Sequence, residues 1–167
     1  MKSLVIVCSV ALCGAGHATA AATRIGEAEV RAAPNGGPCF TISAREERRG
    51  GTPNFDTVTV SDAQSRKTVL WKMSMPRERT FPVTFSMCVP YAGRVQALPQ
   101  TPAGTLQPGR IYHVRIDARP AKGTTYPAAY EARFCLAKQR DGSVIVHHIG
   151  ADDHEGRHLY GCLAPTD

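Results

Sequence analysis

Four of the six histidines in this 167-residue chain, His147, His148, His154 and His158, lie close together near its C-terminal end, interleaved with Asp152, Asp153 and Glu155. Imidazole nitrogens and carboxylate oxygens suit zinc or copper(II), so His147, His154, His158, Asp152 and Asp153 form a candidate metal set. Strand geometry works against it. Asp141-Gly142 reads as a two-residue hairpin turn, which puts His147 opposite Leu136 and His148 opposite Cys135, so the adjacent histidines point to opposite faces. His154 and His158 have helical i, i+4 spacing, but Gly156 between them disfavours a helix. The acidic stretch also lacks the D-x-D-x-D-G spacing of a calcium loop. The expectation is therefore no cofactor, with copper or zinc in the histidine segment as the alternative.

A second group of chemically capable residues is cationic. Arg45-Glu46-Glu47-Arg48-Arg49 and Arg77-Glu78-Arg79 fall in two segments that follow apolar runs. Loops on a rigid scaffold carry recognition residues, and the planar guanidinium fork suits carboxylate partners, so Arg45, Arg48, Arg49, Arg77 and Arg79 are candidate binding residues. A plainly solvated surface is the alternative for each segment. Met73, Met75 and Met87 could be read as soft copper ligands, yet their alternation with other residues points to core packing. No G-x-S-x-G, no H-E-x-x-H and no recognisable carboxylate pair is present, so no catalytic residue is expected and the chain is read as non-enzymatic.

Residues 1–20 read as an export signal: Lys2 opens them, a short apolar run follows, and Ala18-Thr19-Ala20 offers a small-x-small cleavage site. The run is shorter than the roughly 20 residues needed to cross a bilayer, and no later stretch is apolar enough. Leu12 before Cys13 argues against lipid attachment at that cysteine. A mature chain from residue 21 to 167 is one domain in size and keeps Cys39, Cys88, Cys135 and Cys162, an even set that suits two disulfides in an oxidising compartment. Four cysteines permit three pairings; the expectation adopted is Cys39 with Cys88 and Cys135 with Cys162. The formal charge of +6, which falls by one with Lys2, favours anionic partners, while export argues against nucleic acid. The excess of arginine over lysine, beside abundant Ala, Gly and Pro, suggests a GC-rich bacterial genome and hence a periplasm.

The elements that must hold these residues are strands. Period-2 alternation runs through Val58-Val60, Val69 to Met75, Val83 to Val89, Tyr112 to Ile116 and Tyr130 to Leu136, while helical periodicity is almost absent. Early strands near residues 28–32 and 39–43 flank Asn35-Gly36-Gly37. Segments 45–54, 75–82, 98–108 and 120–127 read as loops, punctuated by Pro and Gly. Each strand has one apolar face, so two stacked antiparallel sheets around one core, an all-β sandwich, is the economical arrangement.

One segment carries a resemblance. Leu106, Pro108, Gly109, Tyr112, Val114 and Ile116 form an L-x-P-G-x-x-Y-x-V-x-I run that resembles the tyrosine-corner segment of fibronectin type III and related immunoglobulin-like sandwiches. It implies an immunoglobulin-like fold in which the buried Tyr112 hydroxyl finds a backbone partner a few residues back. The order of a V-x-V-x-D strand, then Phe81 to Phe85, then Tyr112 to Ile116 is similar also to small periplasmic pilotin-like sandwich proteins, although their lipid-attachment site is missing here.

These readings converge on an exported periplasmic or secreted binding module, a monomer or small oligomer that does not span the membrane. Its expected partner is another envelope or secreted protein, met in the manner of an inhibitor or immunity protein. A periplasmic copper- or zinc-binding protein is the first alternative and a secreted hydrolase the second.

Overall fold

Alternating valine, threonine and aromatic residues favour extended chain that can bury one face, and most runs so patterned here become strands. The structure is a computed structural model that describes residues 24–93, 98–119, 126–150 and 162. Its elements are β1 (Ile25–Ala32), β2 (Pro38–Ile42), α1 (Ala44–Gly50), β3 (Asn54–Asp62), β4 (Val69–Ser74), β5 (Val89–Pro90), β6 (Ile111–Arg119), β7 (Ala129–Lys138) and β8 (Val144–Ile149). The strands join in the order β4-β3-β6-β7-β1-β2-β5, with β8 also paired to β7.

The chain is thus mostly β, but the sheet is mixed and its path continuous. Ile25, Gly26 and Glu27 of β1 run parallel to Ala129, Tyr130 and Glu131 of β7, whereas from Ala28 onward β1 pairs antiparallel with β2. The expectation of antiparallel pairing throughout fails at this seam. Alternation reports which face a side chain takes, and it is the same whichever way the neighbouring strand runs.

The sheet curls until its two ends share one core. Phe40 on β2 lies 6.4 Å from Trp71 on β4 and 5.5 Å from Phe134 on β7, and Tyr91 meets Trp71 edge-on at 5.4 Å. Val58, Val60, Met73, Met75, Val114, Ile116 and Tyr130 complete that core, so Met73 and Met75 pack there as expected, whereas Met87 is half-buried outside it. A smaller cluster sits on the other face of β7, where Cys135, Ala137, Ile149 and Cys162 are buried together. Cys39 is bonded to Cys88 and Cys135 to Cys162, with Cα atoms 5.4 and 5.5 Å apart, the pairing expected. Such cross-links belong to an oxidising compartment. No described helix is long and apolar enough to cross a membrane.

Three local expectations need correction. Residues 83–88 form turns, not a strand; only β5 follows them, and the Thr84 carbonyl accepts instead from the Thr41 hydroxyl at 2.7 Å. Residues 45–50, read as part of a loop, belong instead to α1. Its signal is a Ser-x-x-Glu cap: Ser43 Oγ accepts from the Glu46 N–H at 3.3 Å.

The β7-β8 hairpin is the third. Gly142 takes φ +83° after a turn closed by its N–H to the Gln139 carbonyl, and the Gln139 N–H reaches the Ser143 carbonyl. That is a three-residue loop with a bulge at the glycine. The extra residue slides the register by one, so Cys135 faces His147 and Phe134 faces His148.

Tyr112 shows the corner geometry its neighbours imply. Only 1% of it is exposed, and its hydroxyl accepts from the Gln107 N–H at 2.7 Å and donates to the Gln107 carbonyl at 3.3 Å. Tyr112→Phe should therefore lower unfolding free energy by about 1 kcal/mol, because two part-buried hydrogen bonds to the Gln107 backbone are lost without a cavity forming. Urea denaturation checks this, and a change below 0.3 kcal/mol would deny the hydroxyl that role.

Candidate functional site

The arginine-rich segment acquires its character from the direction each side chain takes. On α1 the two acids turn inward. Glu46, only 5% exposed, makes a two-pronged pair with Arg24, Nη1 to Oε1 at 2.6 Å and Nη2 to Oε2 at 2.7 Å. The Arg24 hydrogen bonds, outweighing burial, hold the Glu46 carboxyl below the usual carboxylate range. Glu47 Oε1 accepts from the Phe85 N–H at 2.9 Å, so α1 also fastens the turns before β5. Arg45, Arg48 and Arg49 are left exposed. Arg45 and Arg49, one helical turn apart, lie on the same face.

Beside that face opens a cleft of about 760 Å³. Arg24, Arg45, Glu46 and Arg49 form one wall, and His113, Glu131, Arg133 and His148 come from β6, β7 and β8. The strand wall carries its own network. Glu131 Oε1 accepts from Arg115 Nη1 at 2.6 Å, and its Oε2 lies 3.1 Å from His113 Nε2 and 3.6 Å from Arg66 Nη1. Burial works to raise the Glu131 carboxyl, but bonds from His113 and Arg115 outweigh it and hold it low. Burial lowers His113, which Glu131 only partly offsets. Tyr130, on the opposite face of β7, is pushed up to about 12 by burial and by Glu46.

Arg77 and Arg79 belong elsewhere. Their loop after β4 is held by Arg119, which uses all five guanidinium hydrogens: Nε to Asp56 at 2.9 Å, Nη1 to the Arg77 and Arg79 carbonyls, and Nη2 to the Met75 and Pro76 carbonyls. The Arg77 and Arg79 side chains stay exposed, and only Arg45 and Arg49 of the five expected binding residues line the cleft. Nothing in the sequence marked Arg119 or Arg24, because a guanidinium that gathers backbone carbonyls looks like any other arginine until the chain folds.

Of the metal set, Asp152, Asp153, His154 and His158 lie outside the described residues. His147 and His148 take adjacent strand positions and so opposite faces; His148 Nδ1 accepts from the Val30 N–H at 3.2 Å. No group of three or more His, Cys, Asp or Glu side chains among the described residues is placed to hold a metal ion.

Comparison with known proteins yields no match: neither a family model, nor a curated protein, nor a solved structure is similar to this chain.

Two outcomes are expected here. Arg119→Lys should lower stability by about 1–3 kcal/mol, since a point charge with three donors does not replace a planar five-donor fork, and should speed amide exchange in residues 77–80. Unchanged exchange would mean that the loop does not depend on Arg119. The second concerns pH. Folded His113 resists a proton that the unfolded chain accepts near pH 6.5, so stability is full above that pH and falls as pH drops through and below it. The carboxylates held low, Glu46, Asp62 and Glu131, act in a separate window below about pH 4.5. His113→Gln should flatten the upper limb in urea melts at pH 7.5, 6.5 and 5.5; an identical slope would assign that limb to other histidines.

Proposed function

We propose that the protein is an exported binding module that engages an acidic face of another envelope or secreted protein, in the manner of an inhibitor or immunity protein. One observation carries this reading: Glu46 and Glu47 are occupied inside the fold, while Arg45 and Arg49 stand exposed at the mouth of the cleft with no hydrogen-bond or ion-pair partner among the described residues. A segment balanced in sequence becomes one-sided in space. The two disulfides support export, and residues 1–20 supply the signal in this reading; a periplasmic address follows from it. The same proposal extends to architecture: the curled sheet is an immunoglobulin-like sandwich in which β1 passes from one layer to the other, supported by the Tyr112 corner and by Phe40 packing on Trp71.

The test is a pull-down of the oxidised mature protein from envelope and culture-supernatant extracts, followed by affinity measurements on the captured partner. Arg45→Glu with Arg49→Glu should weaken that affinity at least tenfold and reduce its salt dependence, with melting temperature unchanged. Undiminished affinity for a double variant that remains folded would remove this face from the interface.

A further inference from the structure

A second cavity, of about 280 Å³, shares no described residue with the cleft. Its walls are apolar: Phe55 of β3, Met73 of β4, Met75, Phe81, Val89 of β5 and Leu98. Phe55 and Phe81 meet edge to face at 6.0 Å, and the Cys39–Cys88 bond ties the β5 side to β2. The walls are therefore braced from both sides. A cavity with so few polar neighbours offers water too little hydrogen bonding to hold it, so apolar atoms are its natural filling.

Among the described residues one charged side chain stands in these walls. Arg79 lines the cavity and is exposed, and its guanidinium has no partner among the described residues. Its backbone is anchored twice, by its N–H to the Pro76 carbonyl at 3.0 Å and by its carbonyl to Arg119 at 2.7 Å. The cation is thus carried on a fixed stretch of chain beside an apolar hole.

We propose that this cavity binds a medium-chain carboxylate, its alkyl tail against the half-buried Phe81, Pro90 and Leu98 and its head group paired with Arg79. At about 30 Å³ per heavy atom the volume takes a tail of about nine carbons. A planar guanidinium engages a carboxylate through two parallel N–H bonds, which distinguishes an acid from an alcohol of the same length. The assignment stands apart from the protein-binding face, since Arg45 and Arg49 take no part in it.

The experiment is isothermal titration of decanoate, kept below micelle-forming concentration, into the oxidised protein, with hexanoate and decanol for comparison. Decanoate is expected to bind one to one and saturably. Each methylene removed should weaken binding about fourfold, so hexanoate falls by more than a hundredfold. Arg79→Gln should weaken decanoate about tenfold and leave decanol unchanged. Leu98→Trp, at a half-buried wall position, should abolish both while the melting temperature holds. Arg45→Glu with Arg49→Glu should leave decanoate binding intact, separating failure here from failure of the protein-binding face. Absence of saturable decanoate binding at millimolar concentration overturns the proposal. So does equal loss of decanoate and decanol in Arg79→Gln, or a chain-length series without slope; these last two readouts stand even if Leu98→Trp fails to fold.

Discussion

The structure turns on the passage of β1 from β7 to β2. A strand that spends three residues parallel to one neighbour and the rest antiparallel to another links both halves of the curled sheet with a single run of backbone. That link brings Phe40 back over Trp71 and so closes the core. Its cost falls on the backbone groups at the crossing, which leave one ladder before they are all claimed by the next. The Val30 N–H finds the His148 imidazole, which makes His148 a part of the seam. Entry to the crossing is equally constrained: Gly26 pairs with Tyr130, and a Cβ added at Gly26 would lie 2.5 Å from the Tyr130 ring. Immediately before it, Arg24 is clamped to Glu46, so the crossing also fixes where α1 sits and which way its arginines point.

Much of this was legible in the sequence, and what was not has definite causes. Val58 and Val60, Tyr112 to Ile116, and Tyr130 to Phe134 announce strands because each buries alternate side chains. Direction escapes the pattern, so the parallel seam at β1 could not be read. Residues 83–88 alternate as a strand does, yet Pro82 before them, the disulfide at Cys88 and the Glu47 bond to Phe85 commit their backbone elsewhere. The helix was within reach, since Ser43 and Glu46 have capping spacing; about two turns of chain are too short for periodicity to show. The hairpin slipped by one because Asp141-Gly142 fits a two-residue turn and a three-residue bulged loop alike.

The arginines make the same point about sites. Arg119, Arg24 and Arg79 are indistinguishable by composition, but the first spends all five donors on its own chain, the second is paired with a carboxylate, and the third is left over. What separates them is the supply of nearby acceptors, which depends on where loops converge. Net charge therefore overstates how much cation is available for a partner; the available part includes Arg45, Arg49 and Arg79.

Within the cleft the distribution of charge has a mechanical consequence. Glu46 neutralises Arg24, and Glu131 answers Arg115 and Arg66, so much of the charge in the two walls is satisfied internally. Arg45 and Arg49 are exposed and form an ion pair with neither, although the charge of Arg49 helps hold the Glu46 carboxyl low. An anionic partner would meet its attraction in solvent, where screening is strong and desolvation small. Interactions so placed act chiefly on encounter rate and orientation. Tight binding would then have to come from the shape of the cleft and the apolar contact at the exposed Ile25, with the arginines selecting which partner arrives and how it is turned.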